Sequence, residues 1–272
     1  MLRYILQRLG QTFIILIIVS FMTYLLIDFL PGDPIAAMTG GEISGETYDR
    51  LYHELNMDKP VLVRYVMWLG DALTGNFGMS QSYNKSVLTV IGERLPVTMY
   101  LSLLAFFISV PLGIVFGIIS AVKRGTAADT AVTLTANICC CLPQFWLGMM
   151  LILVFASKLG WLPTQGMYDM RLGATGFARV VDVARHMVLP VATLTLIQIP
   201  AYFRITKSSV CQVLTDDYIT TFRITGMSEG KIFRKYVLKN AILPVVTVFG
   251  INLAYVVSGS TLVETVFSWP GI

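Results

Sequence analysis

Apolar runs long enough to cross a bilayer recur along this chain, at residues 12–30, 97–122, 131–159, 188–205 and 241–263. A span needs about 20 largely apolar residues to cover ~30 Å of hydrocarbon. With no water in the bilayer core, each run must satisfy its own backbone as a helix. Composition agrees: the 272 residues are 55% hydrophobic and only 13% charged, against about 25% charged in a soluble domain. The expected fold is all-α and polytopic.

Charge placement gives the expected topology. Lys and Arg accumulate in cytoplasmic loops. Arg3, Arg8, Lys123, Arg124, Arg204, Lys207, Arg223, Lys231, Arg234, Lys235 and Lys239 fall on one side of the five spans, opposed there only by Asp129, Asp216, Asp217 and Glu229. This puts the N-terminus in the cytoplasm. The first apolar run exceeds the 7–15 residues of a cleavable signal core, so it reads as a retained span, with Asp28 interfacial near its outer end. Residues 31–96 are expected to be an outer segment, with short amphipathic helices over residues 46–56 and 60–73, Tyr65 and Trp68 at the interface, and a Gly-rich turn at GNFGMS. Residues 97–272 are the expected core of spans, with Pro111 and Pro143 inside the second and third and Pro190 and Pro200 interrupting the fourth. Residues 164–185 read as an outer loop. An odd number of spans leaves the last residues, FSWPGI, outside, and a sixth span is expected beyond them.

Several chemistries find no support. There is no HExxH, the only histidines are His53 and His186, and no nucleophile–His–acid set falls within the spans. No catalytic, metal or cofactor site is expected, which disfavours a membrane-embedded enzyme. The cysteines Cys139, Cys140, Cys141 and Cys211 form no CxxC pair and read as small packing residues. The spans carry almost no charge at mid-membrane, unlike most ion-coupled carriers. Residues 226–232, GMSEGKI, are not a phosphate loop, which needs four residues between its glycines and Ser or Thr after the Lys. ATP and Mg would belong to another subunit.

The most basic part of the chain, residues 216–244, lies between two spans. Asp216 and Asp217 suit a helix N-terminus, and Ile219, Phe222 and Arg223 share one face. Gly226 suits a left-handed stop, and Ser228 suits the cap of a second helix over residues 229–239, with Glu229 in its first turn. Ile232, Phe233, Tyr236 and Val237 form an apolar stripe. Helix, glycine turn and helix make either a docking device for a soluble partner or an amphipathic loop lying on anionic lipid.

The loop resembles the cytoplasmic loop of ABC-importer membrane subunits. Gly226 matches that family's glycine, Thr220-Thr221-Phe222 departs from its small/acidic triplet, and Pro244 falls later than the general pattern, as in the oligopeptide, dipeptide and nickel branch. RYILQRL, FLPGDP, LNMDKPVLVRYVMWLGDALTGNFGMS, ERLPVTMYLSLLAFFISVPLGI, CLPQFWLG, GWLPTQG, HMVLPVATL and ETVFSWPGI follow that branch in order. The resemblance covers nearly the whole chain and implies a type I ABC importer permease fold in the cell membrane. Its implied partners are a second homologous permease, two cytoplasmic ATPase subunits that hold ATP and Mg, an extracellular binding protein and the lipid bilayer, with no nucleic acid. Residues 208–240 would be the coupling loop, with Gly226, Met227, Ser228 and Glu229 at its tip, braced by Phe222, Arg223 and Tyr236. The translocation pathway would use Pro143, Gln144, Phe145, Gln198, Asn252 and Ser258 or Ser260. Di- or oligopeptides are the expected substrate, with nickel or a metal chelate as the alternative. A free-standing channel or secondary carrier is the reading from another class.

Overall fold

The long apolar runs fold as helices that outlast their hydropathy. The computed structural model describes residues 2–30, 32, 35, 45–80, 82–173, 175–256 and 261–272. It divides into two compact units, Met1–Val90 and Ile91–Ile272.

In the first unit, α1 spans Leu2–Asp28, α2 spans Gly45–Glu54 and α3 spans Val61–Leu73. Tyr65 fixes α3 on α1. It is buried, packs edge-on against Phe21 at 5.0 Å, shares a 2.8 Å hydrogen bond with Ser20 Oγ and donates to the Ile17 carbonyl at 3.1 Å. Asp28 pairs with Arg64 at 2.7 Å, both side chains largely covered. The expected interfacial residues thus build a helix–helix contact. Gly75 and Gly78 take positive φ in the turn that leads into a short antiparallel pair, β1 Met79–Ser80 with β2 Lys85–Ser86.

The second unit is a helical bundle. α4 spans Val87–Val122, α5 Ala127–Cys141, α6 Gln144–Leu151 with a π-helical continuation Ile152–Lys158, and α7 Gly176–Leu214. α8 spans Asp217–Ile224, α9 Glu229–Ile232, α10 Leu238–Val256 and α11 Thr261–Val266. Residues 176–185, expected as loop, are the first turns of α7, and α4 likewise starts ten residues before its apolar run. At 1.5 Å per residue these helices reach about 54 and 58 Å, well beyond the hydrocarbon core.

Prolines act differently at different sites. Pro96 and Pro111 lie inside α4 and Pro190 and Pro200 inside α7, so the expected interruption of the fourth span does not occur. Without water to take up released backbone groups, the helix stays intact and neighbours absorb the defect. At Pro143 the chain does break. Leu142, the residue before it, is extended at ψ 132°, as steric conflict with the proline ring favours. Helices α5 and α6 therefore meet at 105°, and the expected third span is a broken one. Among the described residues, four helices are long and apolar enough to cross a membrane, or up to five spans if this bent pair counts as one.

Glycines allow the closest helix contact. A Cβ on Gly113 would lie 2.5 Å from Tyr202 Cβ, and one on Gly117 would lie 2.9 Å from the Phe203 carbonyl oxygen. This is the small-xxx-small device by which membrane helices bring backbones together, and it presses α4 onto α7. Three apolar clusters fill the unit. Phe106, Val110, Tyr202, Val245 and Val256 form one. Leu101, Leu189, Leu194, Phe267 and Trp269 belong to a second, and Ala121, Val210, Ile219, Ile232 and Val237 to a third, under the basic loop. Phe267 and Trp269 of the last segment are buried: Trp269 Nε1 donates to the Val97 carbonyl at 3.2 Å, and Arg94 donates to the Gly271 carbonyl at 2.7 Å.

Candidate functional site

The basic loop forms the helix–turn–helix that its sequence specifies. α8 ends in a Schellman turn: the Gly226 N–H donates to the Arg223 carbonyl at 3.0 Å and the Met227 N–H to the Phe222 carbonyl at 3.1 Å. Gly226 carries φ +79°, a conformation that a side chain disfavours. Ser228 holds the N-cap position of α9, but its hydroxyl makes no cap bond. Its carbonyl accepts from Lys231 and Ile232 instead, at 2.9 and 3.0 Å. The second helix does not stop at Lys239. It passes through the π turn Phe233–Val237 and continues as α10, so the loop is built directly onto a membrane-crossing helix.

Two contacts stiffen the tip. Arg223 clasps Glu229 across the glycine turn with Nε–Oε1 at 2.7 Å and Nη2–Oε2 at 3.3 Å. The loop lies outside the apolar stretch that starts at Ala241. The hydrogen bonds that Arg223 donates hold the Glu229 carboxyl below its ordinary range, and their acceptance by Glu229 raises the guanidinium. Behind the clasp, the Phe222 and Tyr236 rings sit 4.3 Å apart, and Asn240 donates to Tyr218 Oη at 3.0 Å. Ile219, Ile232 and Val237 are fully buried against the ends of α4 and α7. Phe222 and Tyr236 thus pack behind the turn and Arg223 reaches across it, and Gly226, Ser228 and Glu229 lie exposed at it, with Met227 half-covered. One exposed residue escaped sequence reasoning. Ile224, on the last turn of α8, is 82% accessible, a large apolar side chain off the face that packs.

A second feature of this end was also missed. Asp129 is buried and accepts from Lys207, Ser120, Thr133 and the Gly125 N–H. Lys207 also donates to Thr133 at 2.9 Å. In sequence, Asp129 and Lys207 are only two charges near span ends. The fold makes them a satisfied ion pair that ties α4, α5 and α7 together beside the loop.

Farther along the bundle, Gln144, Gln198 and Asn252 line one cleft of about 270 Å³ between α4, α6, α7 and α10, with Ser102, Phe106 and Tyr255. Gln198 Oε1 accepts from Ser109 at 3.2 Å, and Asn252 Nδ2 donates to Tyr202 Oη at 2.9 Å. Phe145 does not join them. It is exposed, while Leu147 and Gly148 are the buried positions of α6. Pro143 shapes the cleft only by turning α6 at its start. Ser258 and Ser260 lie outside the described residues.

The chain matches the family model of the binding-protein-dependent transport system inner membrane component over residues 113–272. It matches the N-terminal model of such membrane components over residues 1–102. The chain belongs to this family. Among its relatives, a protein of Brucella abortus named as a peptide transport system permease is 35% identical over 98% of this chain and 83% of its own length. The di/tripeptide transport system permease protein DppB of Pseudomonas aeruginosa is 33% identical over 100% of this chain and 85% of its own. The oligopeptide transport system permease protein AppB of Bacillus subtilis is 33% identical over 100% and 85%. This family member is thus a multi-pass membrane component of a transport system that includes other subunits. The permease carries its loop, its buried ion pair and its polar cleft in one unit, residues 91–272.

Proposed function

We propose that this permease imports di- and oligopeptides in an ATP-driven transporter. A binding protein delivers the peptide outside, a second permease completes the pathway, and two ATPase subunits, which hold the ATP and Mg, grip residues 208–240 on the cytoplasmic side. No cofactor belongs to this chain. The N-terminus lies in the cytoplasm with the loop, as the distribution of Lys and Arg supports. The names of the relatives support peptide as the cargo.

The observation that carries the docking role is the loop's construction. Its base is buried against α4 and α7, its turn is fixed by Gly226 and the Arg223–Glu229 clasp, and it leaves Ile224 exposed at the tip. A loop that merely rested on lipid would not need a clasped turn, whereas a tip that fills a groove does. Because α9 runs into α10, displacement of the tip displaces a membrane-crossing helix. Gln144, Gln198 and Asn252 then mark the path that opens and closes.

The test is co-purification of the ATPase subunits from membranes with the intact transporter. Gly226→Arg and Ile224→Asp should each leave the permease inserted and abolish co-purification and ATP-dependent uptake. Ile224 is largely accessible, so its variant separates docking from folding. Retained co-purification and uptake in Ile224→Asp would remove the docking role.

A further inference from the structure

The polar cleft has a hydrogen-bonding character that bears on how cargo is recognised. Gln198 Oε1 lies 3.2 Å from the Ser109 hydroxyl, whose single proton is shared with the Phe106 carbonyl at 3.1 Å, and both Gln198 amide hydrogens remain to donate. Asn252 has the reverse arrangement: one of its amide hydrogens goes to Tyr202 Oη, which orients the side chain, and Oδ1 keeps its acceptor capacity. Both side chains line the same cleft, and among the described residues no charged side chain lines it. Its walls include Phe106 and Ile197. Beside the polar Ser102, Gln144 and Tyr255, Gln198 supplies a donor and Asn252 an acceptor, the complement of a peptide unit, which offers one C=O and one N–H.

The physical demand is specific to this cargo. A peptide in transit loses water from every N–H and C=O, and each is costly to leave unpaired in an apolar setting. Carboxylate or ammonium groups in the wall would select among peptide side chains. Carboxamides treat all residues alike, because every peptide bond is the same. At about 270 Å³ the cleft falls below the ~300–1,000 Å³ that encloses a whole drug-sized ligand, which suits a segment of chain passing through.

We infer that this cleft is a backbone-reading subsite: the Gln198 amide N–H donates to a cargo carbonyl, and Asn252 Oδ1 accepts from a cargo peptide N–H. This rests on the peptide-importer reading above and adds the atoms by which cargo is held. It makes selection within the membrane independent of peptide side chains.

The test uses the assembled transporter in proteoliposomes, with excess binding protein loaded beforehand with trialanine or with its analogue carrying an ester in place of the second of its two amides. The ester removes one N–H and leaves the side chains and chain length unchanged. Wild type should import the amide about fivefold faster than the ester, the worth of one neutral hydrogen bond. Asn252→Leu should bring that ratio to about one, whereas Gln198→Leu should slow both cargoes and leave the ratio near its wild-type value. Each ratio is internal to one preparation, so loss of folded protein does not move it. If wild type imports both cargoes equally, or if Asn252→Leu keeps the discrimination, the backbone-reading assignment is overturned and the importer reading stands. If wild type shows no ATP-dependent uptake of trialanine, the importer reading itself falls, and the assignment with it.

Discussion

Arg223 and Glu229 illustrate how much a turn can depend on two side chains. They face each other across Gly226 in a bidentate pair, and the Glu229 carboxyl is held below its ordinary range. A depressed carboxylate contributes in full above its unfolded value and loses that contribution only as pH falls through the lower, folded value. Spin labels across the turn should therefore report an unchanged distance from about pH 8 down through the ordinary carboxylate range near 4.3, and widen only below it. Glu229→Gln should give the widened distance at every pH. A wild-type transition within the ordinary carboxylate range would show that the clasp does not hold the turn. The residues of this turn were legible in sequence because glycine, cap position and acidic first turn each have a local cause. Ser228 shows the limit: its position was legible, but its hydroxyl is not the group that caps. Ile224 was not legible, since nothing local says that an isoleucine on an amphipathic helix will be left uncovered.

At the scale of elements, hydropathy marks where lipid lies and not where helices end. That is why α4 and α7 start about ten residues before the apolar runs they contain, and why Pro190 and Pro200 were misread as interruptions. The break at Pro143 depended on whether Leu142 could turn extended, a choice made by packing. The Gly113–Gly117 spacing did carry a signal for a close helix crossing, and it is the element-scale feature on which α4 and α7 most depend. Gly117→Leu should destabilise the purified permease by about 1–3 kcal/mol or more through overpacking against Phe203 and Thr206. Gly250→Ala, where a Cβ meets open space, should be neutral or stabilising by about 0.5–1 kcal/mol. Thermal unfolding in detergent distinguishes the two, and equal behaviour would mean that the α4–α7 crossing is not backbone-tight. The Asp129–Lys207 pair belongs to the same layer of information, since residues 78 positions apart in sequence meet only once the helices are packed.

For the whole molecule, the order of short segments along the chain pointed to an importer permease, and the family match over residues 1–102 and 113–272 agrees. What sequence could not show was that Gln144, Gln198 and Asn252, taken from three helices, share a cleft, or that the basic loop is continuous with α10. In the importer proposed above, this loop transmits ATPase movement to the membrane helices. A photo-crosslinking side chain at position 224 of the intact transporter in native membranes tests that coupling. An adduct with the ATPase subunit is expected, lost when Gly226→Arg is introduced in the same chain. An adduct with lipid alone, in membranes where the ATPase is present and uptake is running, would contradict it.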